Sequence, residues 1–203
     1  MTLDWSNFSS TLLLEVTRPE GIFTSSAVAI DEQTIVTAAH SLDGVILKVR
    51  VSLDVSYNPQ GEFLEVDSFE IDPNYQREKS LFDHDIAKLR LKTTLPSSVK
   101  LFPIMKRITS TSGKFFRVGF GERNQSNVRT LVTPLFKQLD RQMRVLELED
   151  MYSYHGDSGG PVFYQEGSQI YLVAIHSTYS FGPEGKFSYN PTLVSKRDWL
   201  YAS

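Results

Sequence analysis

Alternation of apolar and polar residues at a period of two constrains this chain most. In 45–53, Val45, Leu47, Val49, Val51 and Leu53 fall on one face, while Lys48, Arg50 and Ser52 fall on the other. Segment 85–91 repeats the pattern, with Ala87, Leu89 and Leu91 opposite Lys88 and Arg90. Leu146 and Leu148 alternate with Glu147 and Glu149. Successive side chains of a strand point to opposite faces, so segments of this kind bury one face and wet the other. Turn-forming groups separate them: Asp43-Gly44, Asn58-Pro59-Gln60-Gly61, Asp72-Pro73-Asn74 and Glu166-Gly167-Ser168. The expectation is an all-β, antiparallel protein. Segment 93–113 is richer in Pro, Ser, Thr and Lys and reads as a linker between two β halves, with Leu101, Phe102 and Ile104 anchored on the core.

Composition narrows the function classes. A chain of 203 residues with 40% hydrophobic and 22% charged residues has enough apolar material for a sizeable core. A net charge of −3 gives no basic field, so no nucleic-acid partner is expected. No apolar run approaches the roughly 18 residues of a membrane span, so no membrane partner is expected either. With no cysteine, disulfides and thiolate metal sites are excluded.

Three short motifs carry chemistry. Thr37-Ala38-Ala39-His40 comes first, Asp83-His84-Asp85-Ile86-Ala87 follows, and Gly156-Asp157-Ser158-Gly159-Gly160-Pro161 comes last. A serine hydroxyl is barely ionised at neutral pH and needs a base within hydrogen-bond reach to act as a nucleophile. Imidazole suits that task, and a carboxylate can fix its tautomer. His84 is read as structural, since an extended segment turns it away from the face of Asp85.

In order and spacing the three motifs resemble those of the trypsin/chymotrypsin-like serine proteases, in a cysteine-free form that points to a bacterial type. Ile71-Asp72-Pro73-Asn74-Tyr75 and Gly119-Phe120-Gly121 add to the resemblance, which runs from the first strand to the C-terminal segment. It implies two antiparallel six-stranded β-barrels, chymotrypsin-like, with a short C-terminal helix around 193–201. The implied division is 1–100, carrying His40 and Asp85, and 101–203, carrying the linker, Ser158 and the helix. It further implies a serine endopeptidase working through an acyl-enzyme on protein or peptide substrates. His40 would be the base, Asp85 its orienting partner and Ser158 the nucleophile, with the amides of Gly156 and Ser158 as the oxyanion hole. A catalytically silent or zymogen-like relative that acts as a binding module is the alternative. The chain is expected to work as a monomer, to need no cofactor or metal, and to be secreted or periplasmic. No leader is legible at its start, and an intracellular location stays open. Glu70 and Asp72 lie near a loop that holds calcium in some relatives, but read here as a solvated loop.

The same resemblance locates the substrate pocket. Tyr152 stands where trypsins carry an aspartate, so cleavage after Lys or Arg is not expected. Ser153 and His176 fall where glutamyl endopeptidases place a hydroxyl and an imidazole for a glutamate side chain. The short connection from Gly121 to Gly156 also looks like that subgroup. Ser177 matches the serine whose carbonyl pairs with substrate, and Tyr179 replaces a small residue at the cleft. Against this stands a buried His176 bonded to its own neighbours. His155 is expected at the pocket mouth. Asp157 needs a partner for a buried carboxylate: the amine of residue 1 or 2, a side chain such as Arg141, Arg144 or His155, or none in an inactive state.

Overall fold

The alternating segments pair as antiparallel strands that wind first into a closed barrel. The computed structural model describes residues 4–78, 83–109, 114–123, 126–132, 136–139, 143–147 and 152–203. Strands β1 (Thr11–Arg18), β2 (Gly21–Ala29), β3 (Thr34–Thr37), β4 (Lys48–Ser52), β5 (Leu64–Ile71) and β6 (Ala87–Leu91) close in the order β1-β2-β3-β6-β5-β4. Closure leaves no unpaired strand edge. Inside lie Leu12, Leu14, Val16, Ile35, Val49, Val51, Leu89 and Leu91, an apolar filling drawn from alternate positions.

Segment 85–91 behaves as its pattern requires: Ala87, Leu89 and Leu91 are buried, Lys88 is half-buried and Arg90 exposed. Segment 45–53 does so only in part. Pairing with β1 begins at Lys48 opposite Thr17, just after the turn at Gly44. Val45 and Leu47 precede the ladder and stay 65% and 63% exposed, whereas Val49 and Val51 enter the barrel.

The second half contributes β7 (Lys114–Gly119), β8 (Glu122–Arg123), β9 (Ser126–Asn127), β10 (Thr130–Val132) and β11 (Phe136–Leu139). After them come β12 (Arg144–Glu147), β13 (Pro161–Glu166), β14 (Gln169–Ile175), β15 (Thr178–Gly182) and β16 (Gly185–Tyr189). Among the described residues they form two four-stranded sheets, β10-β7-β13-β14 and β11-β12-β16-β15, beside the small β8–β9 hairpin. A single turn at Val194–Lys196 leads into α1 (Arg197–Tyr201). The architecture is all-β and consistent with a chymotrypsin-like double barrel. No described helix is long and apolar enough to cross a membrane.

Glu147 corrects the simple alternation. It was expected on a wet face, yet it is only 4% exposed and pairs with Arg117 at 2.6 Å. Leu148 and Glu149 lie outside the described residues. Leu101 is a smaller correction. The connecting segment runs extended, so Phe102 and Ile104 point into the core while Leu101 points out.

The halves meet on an aromatic seam. Phe8, Phe102, Phe116 and Phe163 pack with ring centroids between 5.0 and 5.6 Å apart. Val28, Val36 and Ile86 from the first barrel join Leu172 and Ile175 from β14 in the same cluster. Burying each such phenylalanine contributes about 1.5–3 kcal/mol.

Candidate active site

Strand pairing brings the first two motif residues together. Thr37 at the end of β3 lies opposite Ala87 at the start of β6. His40 therefore follows one strand, on a short turn over Ala39–Ser41, and Asp85 precedes the other. The Asp85 carboxylate is closed off from solvent. Its Oδ1 accepts the main-chain N–H of His40 at 2.8 Å, and its Oδ2 lies 2.6 Å from His40 Nδ1. Ser177 Oγ donates to the same Oδ2 at 2.5 Å. With Nδ1 protonated to meet the carboxylate, Nε2 turns a lone pair to the cleft.

His84 points elsewhere. Lys196 Nζ lies 2.9 Å from His84 Nδ1 and 2.5 Å from Asp72 Oδ2, so the ammonium pairs with Asp72 and bridges it to the His84 ring. Burial pushes the Asp72 carboxyl up, but hydrogen bonds from Lys196, the Asn74 amide and His84 outweigh it and hold it below the usual range. Glu70 accepts from the Trp199 indole at 2.6 Å and pairs with Lys88. Among the described residues no cluster of His, Cys, Asp or Glu could hold a metal ion.

Ser158 shares a cleft of about 230 Å³ with His40. Its hydroxyl donates to the Ser177 carbonyl at 3.1 Å. The loop ahead of it turns at Gly156, whose φ of +97° favours glycine. A Cβ there would sit 2.7 Å from the Phe120 carbonyl. The His155 carbonyl accepts the Glu122 N–H at 2.7 Å, and in a trans peptide this sends the Gly156 N–H the opposite way. Neither the Gly156 nor the Ser158 amide donates to an acceptor among the described residues.

Ser26 on β2 fastens this loop to the first barrel. Its N–H donates to the Ser158 carbonyl at 2.8 Å and its hydroxyl to the Gly156 carbonyl at 2.6 Å, while that hydroxyl accepts the Phe120 N–H. Asp157 is buried, accepting the Gly121 N–H at 2.8 Å and the Tyr154 N–H at 2.9 Å. It fills the space that side chains at 119 and 121 would need: a Cβ on Gly121 would lie 2.5 Å from the carboxylate. Of the partners expected for Asp157, residues 1 and 2 and Arg141 lie outside the described residues. Arg144 is exposed, with its guanidinium 5.3 Å from the Phe187 ring centre. His155 is exposed and lines the cleft.

Tyr152, Ser153 and Tyr154 lie just ahead of the Ser158 loop, and Tyr179 lies on β15. Between them stands a residue the sequence did not single out. Lys186 on β16 is 4% exposed, and its Nζ donates to the Ser153 carbonyl at 2.5 Å. That ammonium lies 3.6 Å from the Tyr179 ring centre, 5.0 Å from Tyr152 and 5.7 Å from Phe181. Aromatic faces attract a cation, and more strongly when water is excluded.

Both expected carboxylate donors are turned inward. The Ser153 hydroxyl donates to Glu147 Oε2 at 3.2 Å. His176 is buried, with Nδ1 3.3 Å from Asn190 Oδ1. The Asn190 amide nitrogen donates to the Met143 carbonyl and to Ser188 Oγ, so its oxygen is the acceptor and His176 Nδ1 carries the proton. Burial and the Arg117 cation lower the His176 pKa to about 4, against Glu147, Asp157 and Asn190. The neutral ring thus has Nε2 as an acceptor. Lys186, Arg117 and Ser26 had no legible sequence signal, because nothing local marks a buried cation or a cross-barrel serine.

Comparison with known families agrees with this geometry. The family model described as Trypsin matches residues 9–196, from just ahead of β1 to the turn before α1. That match covers both halves, including His40, Asp85, Ser158 and the segment from Tyr152 to Lys186. The chain therefore belongs to the Trypsin family and is a serine endopeptidase acting on protein or peptide substrates.

Proposed function

We propose that this endopeptidase cuts peptide bonds through Ser158, His40 and Asp85 and prefers an acidic residue on the acyl side of the scissile bond. The observation that carries the first part is the 2.6 Å bond from Asp85 to His40 Nδ1 in the cleft that also holds Ser158. Rotation about χ1 of Ser158 takes its hydroxyl from the Ser177 carbonyl towards His40 Nε2, which accepts the proton as Oγ attacks the substrate carbonyl. Asp85 stabilises the imidazolium that results. The Gly156 and Ser158 amides face the developing oxyanion, each donor contributing about 3 kcal/mol in the transition state. The imidazolium then protonates the leaving amine, and water, activated by the same histidine, hydrolyses the acyl-enzyme.

The acidic preference rests on Lys186. A carboxylate that leaves water needs replacement partners. The Lys186 ammonium supplies charge between Tyr152 and Tyr179, the two residues that resemble pocket walls. His176 and Ser153 support it from behind, through the Asn190 and Glu147 bonds.

The test is digestion of a mixed peptide library read by mass spectrometry, with Ser158→Ala as control. Every cut should fall by at least about 10⁴-fold in that variant. Cuts should cluster after Glu or Asp, and Lys186→Met should weaken them about 100-fold relative to cuts after Gln. Cuts that persist in Ser158→Ala would overturn the triad. Equal loss after Glu and Gln in Lys186→Met would overturn the pocket alone.

A further inference from the structure

The cleft that holds His40 and Ser158 does not end there. It runs on to Arg18, Phe23, Thr24 and Ser41, and none of Tyr152, Ser153, Tyr179 or Lys186 lines it. If the acyl side of a substrate occupies the Lys186 pocket, the chain beyond the scissile bond must enter this other part. The side of the cut to which Arg18 is assigned rests on that reading of the pocket.

Arg18 ends β1, and its guanidinium braces the segment just after His40. Nη1 donates to the Asp43 carbonyl at 2.6 Å and Nη2 to the Ser41 carbonyl at 2.9 Å. Both acceptors are neutral. Arg18 makes no ion pair among the described residues, and the Asp43 carboxylate is turned to Arg77 at 3.6 Å. A guanidinium has further N–H donors beyond these two bonds, arranged to meet a carboxylate. The cation is thus held in place by main-chain carbonyls, half-buried, and lines the wall of a substrate cleft beside Phe23.

We infer that Arg18 selects an acidic side chain within the first three residues after the scissile bond. The substrate class is then a segment with carboxylates on both sides of the cut. Extended peptide advances about 3.3 Å per residue, so a window of three residues spans about 10 Å.

The experiment uses quenched-fluorescence peptides that carry, on the acyl side, whichever residue the enzyme cuts best. Failure of the acidic acyl-side preference therefore leaves this result intact. Asp, Ala or Lys is placed at each of the three following positions, and kcat and KM are measured. The wild-type enzyme should favour Asp over Lys at one position by about fivefold in kcat/KM, mainly through KM. That ratio should shrink as salt rises from about 0.05 to about 0.5 M. In Arg18→Gln it should fall to near unity, whatever happens to the absolute rate, and Arg18→Lys should keep part of it. No Asp preference at any of the three positions in the wild type would overturn the inference, even if the variants fail to fold. An undiminished ratio in Arg18→Gln would overturn it as well.

Discussion

The two halves of the molecule are built from different materials. The first barrel is apolar inside. Its buried carboxylates other than Asp85, among the described residues, are Glu15 and Asp72. Each pairs with a cation that still reaches solvent, Arg50 at 23% and Lys196 at 17% side-chain exposure. The second half instead buries charge against charge. Arg117 and Glu147 meet at 2.6 Å with no more than 1% of either side chain exposed, and Lys186, His176 and Asp157 are buried in the same half. An apolar barrel makes a stiff platform that depends little on pH. A buried polar interior aims donors and charges, and it is costly to leave half-satisfied. The half that presents His40 and Asp85 is the robust one, and the half that buries Arg117, Glu147 and Lys186 is the sensitive one.

The largest effect separates chemistry from stability. Asp85→Asn should lower kcat by about 10⁴-fold, since an amide favours the wrong tautomer of His40. The thermal midpoint should change little, because the apolar barrel around it is untouched. A large fall in midpoint would mean that this half, too, depends on buried charge.

Next comes the ion pair itself. Glu147→Ala should destabilise the protein by about 3–5 kcal/mol in urea unfolding, because it strands the Arg117 cation. Two guanidinium nitrogens of Arg117 already lack a hydrogen-bond partner among the described residues. The double change Arg117→Met with Glu147→Leu should recover most of the loss. By contrast, breaking Lys48–Glu65 on the outside of the first barrel should cost less than about 1 kcal/mol, as both partners are exposed.

A pH slope should be smaller than the loss of the buried ion pair. His176 titrates at about 4 when folded, below the 6.5 of an unburied ring. Between those values the unfolded chain binds the proton and the folded one does not. Stability from this group is therefore full above pH 6.5 and is lost as pH falls towards 4. The loss from pH 7 to 5 should be about 2 kcal/mol. Urea midpoints across that range should show it, and His176→Gln should flatten the slope. Because Asp72 and Glu147 have carboxyls held below the usual range, their losses belong to more acid solution.

This division also explains which features were legible in the sequence. The stretches Thr37–His40, Asp83–Ala87 and Gly156–Pro161 are local strings, and two neighbouring strands and one glycine turn suffice to assemble them. Apolar alternation marked 87–91 correctly because the barrel interior accepts only apolar groups. The same rule misread Glu147 and passed over Lys186. A charged residue in an alternating strand looks wet unless its partner is known, and the partners lie far off: Arg117 on β7, and the carbonyl and rings of residues 152–181. Val45 and Leu47 failed for another reason. Their pattern is that of a strand, but the β1–β4 ladder starts only at Lys48 and Leu47 keeps a single main-chain bond to Thr17, and pattern cannot show where a ladder ends.

Ser26 bears on the order of assembly. It leaves the ribosome some 130 residues ahead of Ser158, the separation that its bond to Gly156 spans. Until the last strands dock, β2 has no serine loop to hold, and the loop has no anchor for the Gly156 and Ser158 carbonyls. The contacts that join His40 to Asp85 lie within the first barrel, whereas the serine loop has its Ser26 anchor only when both halves are present. An unfinished copy therefore lacks the anchored serine loop.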